Sequence, residues 1–270
     1  MQLPIPIFRN DKIYVKVDFD EPNADVISRA YTAVNKGLAY KAIYEFVSGS
    51  IDCIYDETGE PVRDKAKIKR LCGMMPYVSA DALVLKILAC MKEGEDYIEG
   101  VYVCPRCGYK IITGKDGISD TRDRIGALEI VCMEEYDNSI YVELKDTIKI
   151  SNTQTGEILE EMHNFELRHP TLNDFMIAEN GQNNNLIIQY RAYCNALRKV
   201  NTQEIDDSWK SKYGLLMLKK AKATSLSQIN QQMKKYGMIQ SKIRECPECS
   251  KEWESPLNTS SFFVSGLRPM

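Results

Sequence analysis

The sequence predicts an α+β protein: a helical N-terminal region, an antiparallel β module with split cysteine knuckles, and a C-terminal helical segment. Three observations carry this. Apolar residues recur at helical spacing up to about residue 94, switch to the two-residue period of strands from Glu99, and return to helical spacing beyond the polar loop 181–185. Two Cys-Pro-x-Cys motifs sit in β-like sequence, one in mid-chain and one near the C-terminus. The 270 residues are 44% hydrophobic and 27% charged, enough for one large domain or two small ones with buried cores.

Ile13, Val15 and Val17 alternate with Lys12, Tyr14, Lys16 and Asp18, a short strand with one face buried. After Pro22 and Asn23, the residues Ile27, Tyr31, Val34, Leu38, Ala42 and Phe46 form one stripe of a long amphipathic helix, whose continuity Gly37 weakens. Thr58 to Pro61 reads as a turn. Ser79 is placed to cap a helix carrying Leu83, Val84, Ile87, Leu88 and Met91, with Gly94 at its end, so residues 19 to about 94 are expected to be mostly helical.

From Glu99, VYVCPRCGYKII reads as strands closed by the turn GKDG, followed by strands at Ala127 to Met133, Ile140 to Ile150 and Asn164 to Arg168. Ile187, Tyr190, Cys194 and Leu197 restore helical spacing. A helix is expected near Glu204, with Asp206 and Asp207 in its first turn and Lys219, Lys220 and Lys222 in its last, the order that suits the helix dipole. Ser225 and Gln228 read as the capping box of a further helix ended by Gly237. The expected units are therefore 1–98, a short strand plus helices; 99–170, the β module with the first knuckle; 171–240, helical; and 241–270, a second knuckle packing back on the β module.

Net charge is −3 and the pI about 5.6, which leaves no global positive excess to neutralise phosphates and opposes general nucleic-acid affinity. No apolar run approaches the roughly 18 residues of a membrane span, and MQLPIPIFRNDK lacks the layout of a secretory signal. An intracellular chain is expected, neither membrane-bound nor secreted. Its nine cysteines, an odd number, then read as thiols or metal ligands rather than a disulfide framework.

Cys104, Cys107, Cys246 and Cys249 offer four soft ligands on two tight turns, the donor set of a closed structural Zn2+ site. The stretch between Cys107 and Cys246 far exceeds the gap of a compact zinc ribbon, so a shared site would be a long-range staple. Unligated thiols, separate intermolecular sites and redox chemistry are the alternatives; a thioredoxin-like dithiol would need its motif at the start of a helix. Cys53, Cys72, Cys90, Cys132 and Cys194 lie singly and read as small core residues.

Nothing in the chain argues positively for an enzyme. His163 and His169 stand in no zinc-protease or deaminase frame, and His169, before Pro170, reads as a strand end. Gly108, Gly114 and Lys115 approach a phosphate loop, but five residues separate the glycines and Asp116 stands where Ser or Thr should bind magnesium. Glu134, Glu135 and Asp137 read as a solvated turn. Lys219, Lys220, Lys222, Lys234, Lys235, Lys242 and Arg244 form the one basic concentration, a solvated helix face or, alternatively, a nucleic-acid contact of a zinc-stapled regulator. The apolar tail Phe262, Phe263 and Val264 is suited to docking on this chain's own core or on a partner.

Several features in order are similar to the baseplate hub assembly proteins of contractile-tailed bacteriophages of the T-even type. They are a mostly helical N-terminal region, DALVLKILACMKEGEDYIEGVYVCPRCG, the strand YVELKDTIKI, the segment LRHPTL, a helical stretch and CPECSKEWESPLNTSSFF. The resemblance covers roughly residues 80 to 264, and the region 1–79 departs from the pattern. It implies a non-enzymatic protein of tail morphogenesis, a hub subunit or an assembly factor. The implied partners are baseplate hub, tail tube and tape-measure proteins, met in the host cytoplasm and in the tail baseplate. It carries over no catalytic residue, and it carries over Cys104, Cys107, Cys246 and Cys249 as zinc ligands.

Overall fold

Asn10 and Asp11 both adopt positive φ, 45° and 58°, the backbone that a two-residue hairpin turn requires. They join β1 (Gln2–Arg9) to β2 (Lys12–Phe19) in a computed structural model that describes residues 1–91, 97–98, 100–113, 123–124, 129–233, 235–238 and 241–256. There follow α1 (Ala24–Asn35), α2 (Ala39–Ser50), β3 (Ile51–Asp56), β4 (Pro61–Val62), α3 (Lys65–Met74) and α4 (Tyr77–Met91). The four strands form one antiparallel sheet in sequence order. Phe46, Ile54, Leu71, Leu83 and Ile87 are among the side chains that bury its helical side.

This N-terminal body differs from the expected short strand followed by helices in four places, each with a local cause. The single helix through residues 27–46 is two, because Gly37 takes φ +73° and turns the chain between α1 and α2. β3 and β4 interrupt the helices; β3 buries residues on both faces, so it shows no clean alternation. In β2 a register shift between Tyr14 and Lys16 brings Tyr14 and Val17, three apart, to the buried side in place of strict alternation. β1 contains Pro4 and Pro6, which its edge position tolerates.

Ser79 explains how that edge is covered. It lies inside α4 rather than capping it, and its hydroxyl accepts from the Ile5 N–H at 2.9 Å and donates to the Ile5 carbonyl at 2.7 Å. A single buried side chain thus satisfies both backbone groups of the residue between the two prolines.

Four short strands follow: β5 (Tyr97–Ile98), β6 (Gly100–Val103), β7 (Lys110–Thr113) and β8 (Asp123–Arg124), with β5 paired to β8 and β6 to β7. Next come β9 (Ile130–Val131), β10 (Ile140–Ser151), β11 (Ile158–Leu167), α5 (Leu172–Glu179), α6 (Asn185–Ala196), β12 (Leu197–Val200) and β13 (Gln203–Glu204). β10 to β13 form a second antiparallel sheet. β10 alternates as its sequence predicts, with Ile140, Val142, Leu144, Ile148 and Ile150 buried against Met217 and Ile229.

The chain ends its described part with α7 (Asp207–Trp209), a π-helical turn over Lys210–Gly214, α8 (Leu215–Lys220), α9 (Ala223–Met233), β14 (Gly237–Met238), β15 (Ser241–Glu245) and β16 (Glu252–Pro256). Region 171–240 is therefore helical with the short strands β12, β13 and β14 added. The helix expected near Glu204 starts at Asp207, with Asp206 accepting from the Trp209 N–H. The Ser225–Gln228 capping box is not formed: Ser225 lies within α9, and Gln228 Nε2 instead donates to the Glu143 carbonyl. β14 pairs with β9, which ties this region to mid-chain. The ends expected at Gly94 and GKDG lie outside the described residues.

The two sheet bodies meet through α5 and the LRHPTL segment. Thr171 and Asp174 form a capping box at the start of α5, and Arg168 Nη2 donates to Asp174 at 2.7 Å. The Tyr77 N–H donates to the Pro170 carbonyl, and the Leu172 N–H to that of Met75. At the far end of α5, the buried Glu179 carboxylate accepts from the N–H groups of Tyr40, at 3.0 Å, and Lys41, at 2.7 Å. It caps α2, whose own N-cap residue Leu38 has no side chain to do so.

Candidate metal centre

The two Cys-Pro-x-Cys motifs fold into the same turn. In the first, between β6 and β7, the Cys104 N–H donates to the Tyr109 carbonyl at 2.8 Å and the Gly108 N–H to the Cys104 carbonyl at 3.0 Å. In the second, between β15 and β16, the Cys246 N–H donates to Lys251 at 3.0 Å and the Ser250 N–H to Cys246 at 2.9 Å. The residue after the second cysteine turns through positive φ in both, +76° at Gly108 and +52° at Ser250. Proline in second position forfeits no hydrogen bond of this pattern, and each turn leaves both of its sulfurs on one side.

The hairpins bring the four sulfurs together. All four Sγ atoms lie within 4.8 Å of one another, with Cys104 to Cys249 at 3.7 Å and Cys107 to Cys246 at 3.5 Å. Tetrahedral zinc with Zn–S bonds of about 2.3 Å sets its sulfurs about 3.8 Å apart, so the cluster is compatible with that ion. The separations are far beyond a covalent disulfide bond of about 2 Å. Cys104 and Cys246 are buried, Cys249 half-buried and Cys107 exposed, which leaves one side of the cluster at the surface.

The thiols do not ionise alike. Burial works against the Cys104 thiolate, but N–H groups of Cys107 and Arg106 and the neighbouring thiols outweigh it and bring its pKa to about 6. For Cys107 the Tyr109 N–H acts to lower the pKa, while partial desolvation of the sulfur and the three neighbouring sulfurs push it up to about 12. A cation is what would let a second and third thiolate form in this space. Arg244 on β15, whose Nε donates to Ser255 of the adjacent β16 at 2.6 Å, lies over the Tyr102 ring of β6 at 3.5 Å, a second link between the two hairpins.

The remaining candidates disperse. Cys53, Cys72 and Cys194 are buried, with burial pushing Cys72 and Cys194 up to about 12; Cys132 is half-buried and Cys90 exposed. His163 is exposed beside Thr147, and Glu134, Glu135 and Asp137 are exposed. Of the basic group, Lys222 pairs with Asp146 at 2.8 Å and Arg244 is buried, while Lys219, Lys220, Lys235 and Lys242 are exposed. Gly114, Lys115, Asp116, Lys234 and the Phe262–Val264 tail lie outside the described residues. His169 is no simple strand end: it is buried in the joint between the two bodies. Sequence reading missed the Arg168–Asp174 pair there, although Thr171-x-x-Asp174 carries the capping-box signal.

No family model, no curated protein and no solved structure matches the chain. Among the described residues, no helix is long and apolar enough to cross a membrane.

Proposed function

We propose that this is a non-enzymatic protein of contractile-tail assembly, a structural subunit of the baseplate hub or an assembly factor for hub and tape-measure proteins, folded around one structural zinc ion. The observation that carries the zinc is the convergence of Cys104, Cys107, Cys246 and Cys249 from two hairpins, one in mid-chain and one near the C-terminus. An all-sulfur donor set fills four positions and keeps none open for a substrate, which supports a structural over a catalytic ion. The tail assignment is supported by the motif order of the sequence, including LRHPTL and the final CPEC with its aromatic followers.

The partners proposed are hub, tail tube and tape-measure proteins, in the host cytoplasm during assembly and in the tail baseplate. The zinc-stapled nucleic-acid regulator is the weaker reading, since Lys222 and Arg244 are engaged within the protein. The test is to quantify this chain and zinc in purified tailed particles and in the soluble lysate of producing cells. A fixed low copy number with equimolar zinc identifies a hub subunit, and presence in lysate alone an assembly factor. Salt-dependent binding to DNA or RNA, with no association to tails, would replace both with the regulator.

A further inference from the structure

Where the two sheet bodies meet the knuckle hairpins, an open cavity of about 970 Å³ lies outside the cysteine cluster, at the upper end of the size range of small-molecule sites. One wall is aromatic: the rings of Tyr40, Tyr77 and Phe175 touch, with centroids 4.5 to 5.4 Å apart. The polar groups beside them are already engaged. Gln189 Nε2 donates to the Tyr193 hydroxyl at 2.5 Å and to Asn230 at 3.1 Å, the Tyr193 hydroxyl bonds Asn230, and Asp81 has its own interaction within the protein. The His169 Nε2 has no accessible surface from which to meet a ligand. At the rim the Ser241 hydroxyl donates to Glu254, whereas the apolar Leu186 is 55% exposed. Such a lining suits an apolar occupant better than one that brings charge or hydrogen bonds with it.

The chain supplies such a segment at the mouth of the cavity. β16 pairs with β15 so that its last residue, Pro256, lies opposite Ser241, and Ser241 and Glu254 both line the cavity. Residues 257–270 therefore leave the hairpin at the rim. Asn258, Thr259, Ser260 and Ser261 make a polar spacer, and Phe262, Phe263 and Val264 an apolar cluster behind it. Phe262 and Phe263 are the only aromatic residues of the sequence outside the described ones. Phe262 follows Pro256 by six residues, a reach of roughly 20 Å when extended, along a path that starts where the cavity opens. A flexible tether this short holds the aromatic pair at a high effective concentration, which favours this cavity over a site on another molecule.

We infer that the C-terminal tail of the same chain docks in this cavity, with Phe262 and Phe263 against the faces of Tyr40, Tyr77 and Phe175 and residues 258–261 crossing the rim. Docked there, the tail ties the second knuckle hairpin to α2, α4 and α5 by apolar contact, separately from the cysteine cluster.

Photo-crosslinking of the full chain with p-benzoylphenylalanine in place of Phe263, read by peptide mass spectrometry, tests this. Cross-links within the monomer to residues 76–81, 170–175, 186–193 or 235–238 are expected. The same probe in place of Lys251, at the other end of β16, should give none of them, and equal capture from there would overturn the inference. So would cross-links confined to covalent dimers, which place the tail in a second copy, or to segments remote from the cavity. If the benzophenone is too bulky to enter and gives no cross-link, hydrogen exchange of the double variant Phe262→Ser, Phe263→Ser decides the matter. Exchange in residues 185–193 and 235–238 should rise at least threefold over wild type, with β3 unchanged. No rise there, as for a cavity that holds only water or another molecule, or a uniform rise that includes β3, would overturn the inference.

Discussion

His169 is the residue whose chemistry departs furthest from what its sequence neighbourhood suggests. Its folded pKa of about 4 lies below the ordinary 6.5 because burial disfavours the imidazolium. As pH falls, the unfolded chain takes up this proton first, so the ring's contribution to stability is full above pH 6.5 and is lost as pH falls towards 4. Integrated over that window, the shift amounts to about 3 kcal/mol. Asp81 acts in the opposite sense: its pKa is raised from 3.8 to about 6, so its contribution declines as pH rises between those values. The two partly cancel in the wild type, and a variant is needed to separate them. Between pH 7 and pH 4.5, urea melts of His169→Gln should show a loss smaller than that of wild type by about 2 kcal/mol, the part of the ring's linkage that falls in this range. Parallel curves would mean that the ring titrates normally in the fold.

Among elements, β1 depends on a neighbour more than on its own sequence. Pro4 and Pro6 remove two donors from the strand, and the residue between them reaches its partner through Ser79 of α4. Ser79→Ala leaves the N–H and carbonyl of the fully buried Ile5 unpaired, an expected cost of about 2–3 kcal/mol. Thr32→Ala, which deletes an exposed hydroxyl bond to the Ser28 carbonyl, should change stability by less than about 0.5 kcal/mol, and thermal melts of the pair give the contrast. The same local reasoning separates what was legible in the sequence from what was not. β10 buries one face, so its alternation is visible, and the two knuckles are spelled out by Cys-Pro-x-Cys spacing. β3 buries both faces, β2 shifts register at its centre, and β1 carries prolines, so each hides its period. The cysteine cluster was legible because each half is local and the chemistry pairs them. The cavity of about 970 Å³ was not, since the residues that line it, among them Tyr40, Asp81, His169 and Tyr193, belong to separate segments that only tertiary packing unites.

At the scale of the molecule, the two larger apolar cores are built from different stretches of chain, one from residues 3–88 with Leu172 and Met238, the other from residues 140–229. The knuckle hairpins are small two-stranded sheets, and such sheets are marginal alone. A metal joining Cys104 and Cys107 to Cys246 and Cys249 closes a loop that spans half the chain, for which loop-closure entropy alone gives stabilisation of roughly 5 kcal/mol. Removing the proposed zinc should therefore act unevenly. With a chelator, hydrogen exchange should rise in residues 100–113 and 241–256 and in the β9–β14 pair, while α1 to α4 and their sheet keep their protection. Cys104→Ser should reproduce that pattern and lose the metal, and Cys90→Ser, at an exposed position outside the cluster, should do neither. The Arg244–Tyr102 contact does not depend on metal, so the hairpins should remain loosely associated rather than separate, and Tyr102→Ala combined with chelation should expose them further than either change alone. Equal loss of protection across α1 to α4 would instead show that the staple and both cores unfold as one cooperative unit.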